Sequence, residues 1–75
     1  MDENLGIGDN LKLLEGKCVD ITLANGGKIE GHVECVGRQV VRIRFGEQYR
    51  SSGTGNAFEE VLIRLNSIDA VAVAT

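Results

Sequence analysis

The sequence predicts a mainly β fold: a short N-terminal helix followed by a five-stranded, strongly bent antiparallel barrel. Three observations predict it. Apolar residues alternate with period two from Lys17 to Phe45 and again from Val61 to Leu65, the spacing of strands that bury one face, and Ile68 to Ala74 reads as a short fifth strand. Turn-forming residues, Asn25-Gly26-Gly27, Gly37 and Asn66-Ser67, interrupt that alternation at short intervals. The chain has 75 residues, too few for two flat layers of sheet, so five strands must curl around one core.

The elements follow in order. Residues 1–8 are polar and read as a frayed tail. Residues 9–16 read as the helix, with Asp9 or Asn10 as its cap, Leu11, Leu13 and Leu14 as its apolar stripe and Gly16 as its stop. A helix this short is unstable alone, so its leucines must pack on the sheet. In the first strand Val19, Ile21 and Leu23 share the inner face, opposite Cys18, Asp20 and Thr22. In the second, Ile29, Gly31, Val33 and Cys35 face in, while Glu30, His32 and Glu34 face out. Opposed residues must share a face, which excludes a two-residue loop. A three-residue loop, Asn25 to Gly27 with Gly27 left-handed, satisfies the pattern. It pairs Leu23 with Ile29, Ile21 with Gly31 and Val19 with Val33. The same register sets Asp20 opposite His32, Thr22 opposite Glu30 and Cys18 opposite Glu34. It also separates Cys18 (outside) from Cys35 (inside), so no disulfide is expected between them.

Gly31 and Gly37 stand where strands are expected to bend. Val41, Ile43 and Phe45 of the third strand face the core, with Val40, Arg42 and Arg44 outside. Residues 46–60 have no clean period and read as a variable loop. Residues 61–74 supply strands four and five. The whole, 1–75, is one domain.

A single core in so short a chain buries only about 60% of the unfolded surface, and small domains are commonly reinforced by disulfides, metals or self-association. The polar, acidic start MDENLGIGDN is not expected to be a signal peptide. No apolar run approaches the roughly 20 residues of a membrane helix. With two unpaired cysteines, a cytoplasmic location is expected, and no membrane partner. The net charge is −3, but it is unevenly spread. Residues 1–35 hold seven acids against three lysines; residues 36–64 hold five arginines against three glutamates. A local basic surface is therefore expected in the second half.

Two runs resemble the motifs of the Sm-like fold of Sm, LSm and Hfq proteins. The first is Val19-x-Ile21-x-Leu23-x-Asn25-Gly26, continuing to Ile29-x-Gly31-x-Val33; the second is Ile63-Arg64-Leu65-Asn66-Ser67-Ile68. The segment LANGGKIEGHVE is similar to the bacterial Hfq version, or to a divergent bacterial or phage relative of it. The resemblance implies a homo-oligomeric ring closed by pairing of strand four with strand five of the next subunit. It also implies single-stranded RNA bound by pore-side loops, at positions that match Arg38, Gln39, Val40, Arg64 and Asn66. The departures fall at those loops. Gly37 and Val41 stand where Sm proteins carry Asp and Asn, Leu65 replaces the second-motif glycine, and Arg64-Leu65-Asn66 replaces the Tyr-Lys-His of Hfq. The helix lacks an arginine-rich rim.

Chemically, Gln and Asn can read base edges, and Arg can stack on a base or pair with phosphate. Arg42 and Arg44 are candidates for backbone contacts; the plainer reading is a solvated face that keeps a sheet soluble. The aromatic residues outside the core are Tyr49 and Phe58, in the loop. Asp20, Glu30, His32 and Glu34 share an outer face and could ligate a divalent metal. The plainer and favoured reading is a cross-strand His–Asp pair among solvated carboxylates, so no metal site is expected. Ser51-Ser52-Gly53-Thr54-Gly55 lacks the ending of a phosphate loop. No cofactor and no enzyme activity are expected. The competing readings are a ring that binds RNA, an Sm-like or SH3-like oligomeric protein-interaction module without RNA, and a monomeric barrel with a metal-binding hairpin.

Overall fold

The computed structural model describes residues 1–45 and 59–73. In chain order these form α1 (Ile7–Leu13), β1 (Cys18–Leu23), β2 (Lys28–Val36), β3 (Val40–Arg44), β4 (Glu60–Arg64), a 3₁₀ turn at Leu65–Ser67 and β5 (Ile68–Val73). Tyr49, Arg50, Phe58, Ala74 and most of the expected 46–60 loop lie outside the described residues, and Glu60 already belongs to β4.

The helix starts two residues earlier than the sequence predicts. Gly6 is its N-cap and makes no side-chain cap bond, so Asp9 and Asn10 sit inside the helix. Asn10 has another task. Its Nδ2 donates to the carbonyls of Asp2, Leu5 and Gly6, and its Oδ1 accepts from the Asp2 N–H at 2.6 Å. The expected frayed tail is thereby tied back onto the helix. The early start also changes the stripe. Ile7, Leu11 and Leu14, spaced i, i+4, i+7, face the sheet, while Leu13 is 60% exposed.

The β1–β2 hairpin keeps the expected loop length and parity but places the loop one residue earlier. Thr22 pairs with Lys28, Ile21 with Ile29, Asp20 with Glu30, Val19 with Gly31 and Cys18 with His32. The tip is Ala24-Asn25-Gly26. Gly26 N–H donates to the Leu23 carbonyl and Leu23 N–H to the Gly27 carbonyl, the pattern of a type I turn closed by a left-handed residue. That residue is Gly26, at φ 91°, and not Gly27. Asn25 Oδ1 accepts from the Gly27 N–H at 2.9 Å, and this Asx bond helps to select the earlier loop. The predicted opposition of Asp20 with His32, Thr22 with Glu30 and Cys18 with Glu34 is thus replaced throughout.

A second correction concerns Cys35. The β2–β3 register pairs Val33 with Ile43 but Cys35 with Arg42, so one extra residue, Glu34, bulges from β2. A bulge turns the following residues over. Cys35 is exposed, and Val36 packs against the core in its place. Both cysteines are free. Phe45, expected in the core, is half-buried just beyond β3, where its N–H donates to the Glu59 carbonyl.

The five strands form one antiparallel sheet in the order β4-β3-β2-β1-β5. It is not closed into the predicted barrel. It is nonetheless strongly curled, because β4 and β5 lie at opposite edges yet are joined by Leu65–Ser67 alone. Four residue steps reach at most about 14 Å, whereas the outer strands of a flat five-stranded sheet stand about 19 Å apart. The 3₁₀ turn is anchored on both sides, since Leu65 N–H donates to the Gln39 carbonyl and Ala24 N–H to the Ser67 carbonyl. The concave face holds Val19, Ile21, Val33, Val41, Ile43, Ile63 and Ile68, capped by Leu11 and Leu14 of α1. No polar or charged residue is buried among the described residues.

Candidate functional site

Where the β2–β3 turn meets the end of β4, a cleft of about 400 Å³ is lined by Arg38, Gln39, Val40, Arg64, Leu65 and Asn66. Its geometry follows from two connections. Gly37 N–H donates to the Val40 carbonyl at 2.8 Å, leaving Arg38 and Gln39 as a two-residue tip. Neither has a positive φ, so the tip is not the primed turn usual for such a hairpin; both side chains are exposed. Val40 then stands directly opposite Arg64. The Leu65–Gln39 backbone bond draws the 3₁₀ turn against the tip, which sets Asn66 beside Arg64.

The structure thus brings together the five residues named from the sequence, Arg38, Gln39, Val40, Arg64 and Asn66, and adds Leu65. Val40 and Leu65 are half-buried and make an apolar floor; the four polar residues stand exposed around it. Two guanidiniums, two amides and a small apolar plate can accept a flat heterocycle with an attached anion. The sequence alternation assigns Leu65 to strand four, whereas the structure places it in the 3₁₀ turn after β4.

Arg42 and Arg44 are elsewhere, on the convex face of β3. Arg44 is committed: its Nε lies 3.0 Å from Glu34 Oε1 and its Nη2 3.3 Å from Glu60 Oε1. Arg42 is exposed between Cys35 and Leu62. The four outer-face metal candidates are likewise divided. Asp20 opposes Glu30, His32 meets Cys18, and Glu34 holds Arg44. Among the described residues, no three of the His, Cys, Asp and Glu side chains are gathered to hold a metal ion, and no helix is long and apolar enough to cross a membrane.

Fold and site together define a small mainly β domain, with an open curled sheet and a cationic cleft at one end. No protein-family model and no curated protein sequence matches the chain.

Proposed function

We propose that this chain is an Sm-like, homo-oligomeric ring protein that binds single-stranded RNA in the cleft at Arg38, Gln39, Val40, Arg64 and Asn66. The observation that carries the reading is the convergence of those residues, from two separate stretches of sequence, on one base-sized hollow. A base lies on Val40 and Leu65, its edge hydrogen-bonded by Gln39 or Asn66, while Arg38 and Arg64 take the flanking phosphates. Arg42 lies outside the cleft and serves as a weaker backbone contact, whereas the two carboxylates on Arg44 remove it from that role. The sheet order, which among the described residues leaves β4 and β5 at its edges without a partner strand, supports a ring in which β4 of one copy pairs with β5 of the next.

Light scattering on the purified chain and titration of short U-rich and A-rich RNA at two salt concentrations test the reading. The expected result is a closed oligomer whose affinity falls with salt. Arg38→Ala and Arg64→Ala should each flatten the log–log salt dependence by about 0.7, the value for one single-strand phosphate. A clean monomer removes the ring. An oligomer that binds neither RNA at low salt leaves the second reading, an oligomeric protein-interaction module. That reading draws support from a groove of about 470 Å³ in which Leu23, Ile29, Val61, Leu62 and Ile63 are joined by Asn25, Ser67 and the cleft residues Arg64 and Asn66.

A further inference from the structure

We propose that Cys18 and His32 form a reactive thiol–imidazole pair, and that Cys18 is a site of reversible mixed-disulfide formation with low-molecular-weight disulfides. The two residues are directly opposed on β1 and β2, and Cys18 Sγ lies 3.0 Å from His32 Nε2. The strand ladder explains this closeness. Leu23 N–H donates to the Gly27 carbonyl and Val33 N–H to the Lys17 carbonyl, so odd-numbered residues of β1 take the hydrogen-bonded pairs. Cys18 and His32 are therefore a non-hydrogen-bonded pair, in which opposed Cα atoms approach to about 4.5 Å and side chains meet. Core packing does not account for the contact. His32 is exposed, Cys18 is half-buried, and neither belongs to the apolar cluster.

A neutral imidazole within hydrogen-bond reach of a thiol can take its proton, and the resulting imidazolium then stabilises the thiolate. Charged side chains flank the pair. Arg44 of β3 opposes His32 on its other side and carries Glu34 and Glu60 on its guanidinium. Asp20 and Glu30 form the next outward-facing pair along the hairpin. In the exchange, the Cys18 proton passes to His32 Nε2 and Sγ attacks one sulfur of the reagent RS–SR. The reagent's S–S bond breaks as the Cys18–SR bond forms, and the departing RS⁻ takes up the proton as RSH. Cys18 is oxidised and the departing thiol reduced, so no other oxidant is needed. Attack by a free thiol runs the step backwards.

Cys35 provides the comparison within the same molecule. It is exposed and faces Arg42, which supplies charge but no base. Accessibility alone predicts that Cys35 reacts first; the Cys18–His32 geometry predicts the reverse. The test treats the full chain with oxidised glutathione or 5,5′-dithiobis(2-nitrobenzoate) and follows each cysteine by peptide mass mapping. Cys18 is expected to react at least about tenfold faster than Cys35, a modest effect for a positioned base. His32→Gln should remove that advantage and leave the Cys35 rate unchanged. The Cys35→Ser chain repeats the measurement on Cys18 alone, with the released chromophore as readout. If His32→Gln also alters the Cys35 rate, the order of the two cysteines in the unsubstituted chain decides. Faster reaction at Cys35, or a Cys18 rate indifferent to His32→Gln in a chain whose Cys35 rate is unchanged, overturns the proposal.

Discussion

Gly31 lies so close against β3 that a Cβ built on it stands 2.6 Å from Ile43 Cγ2 and 2.7 Å from the Arg44 carbonyl oxygen. The first obstacle is a side chain, but the second is backbone held in the β3 ladder. Gly31→Ala therefore has to push β3 away from β2, and overpacking of this kind costs about 1–3 kcal/mol. Gly37 was expected to play the same part, yet a Cβ there meets nothing nearer than 3.6 Å. Gly37→Ala should stay within about 0.5 kcal/mol of the unsubstituted chain. Urea unfolding decides, through a lowered midpoint at constant slope for Gly31→Ala alone. Equal midpoints for the two variants would contradict the close approach.

The hairpin tip yields a prediction of similar form. Gly26 holds φ 91°, a conformation that costs a residue with a Cβ about 1–2 kcal/mol. Gly27 has an ordinary backbone, and a Cβ there meets Asn25 Oδ1 at 3.0 Å and Leu23 Cδ1 at 3.5 Å. Those are ends of side chains that can shift. Gly26→Ala should therefore lower the unfolding midpoint more than Gly27→Ala does. The opposite order would restore the loop Asn25 to Gly27 and, with it, Asp20 opposite His32.

That contrast marks where the sequence is legible. Alternation from Val19 to Leu23 and from Val41 to Ile43 reveals strands and their inner faces, because burial imposes period two. Parity then excludes a two-residue loop. It cannot choose between Ala24-Asn25-Gly26 and Asn25-Gly26-Gly27, since shifting every partner by two leaves each side chain on its own face. The contact of Cys18 with His32 was hidden for this reason. The bulge at Glu34 was hidden by Cys35, whose apolar character continues the alternation past the point where the strand turns over. Val36 was the residue that could have exposed it. The curl of the sheet was implied by chain length, but an edge left open looks in sequence like an edge that closes. The cleft residues were nameable only through the resemblance to the Sm-like motifs, which implies those positions. Periodicity and turn residues alone do not single them out, and it is the ladder opposing Val40 to Arg64 that joins their turns.

Among the described residues β4 has no partner strand on its outer edge, which permits a substitution that separates folding from assembly. Phe45 N–H donates to the Glu59 carbonyl and Leu65 N–H to the Gln39 carbonyl, so odd-numbered residues of β4 bond to β3. By the alternation of an antiparallel ladder, the N–H and C=O of Leu62 point to the free edge. Its side chain is 62% exposed and contributes little to the core. Proline at an edge position removes only an outward donor, which sheets tolerate. Leu62→Pro should therefore keep the far-ultraviolet circular dichroism of the unsubstituted chain. Under the proposed β4–β5 pairing it should also reduce the mass seen by light scattering toward that of one chain. An undiminished oligomer with native circular dichroism would move the assembly contact away from this edge. An unfolded Leu62→Pro chain would instead mean that β4 does not tolerate proline there, and Leu62→Lys, which leaves the backbone donor in place and sets a charge on the edge, becomes the variant that decides.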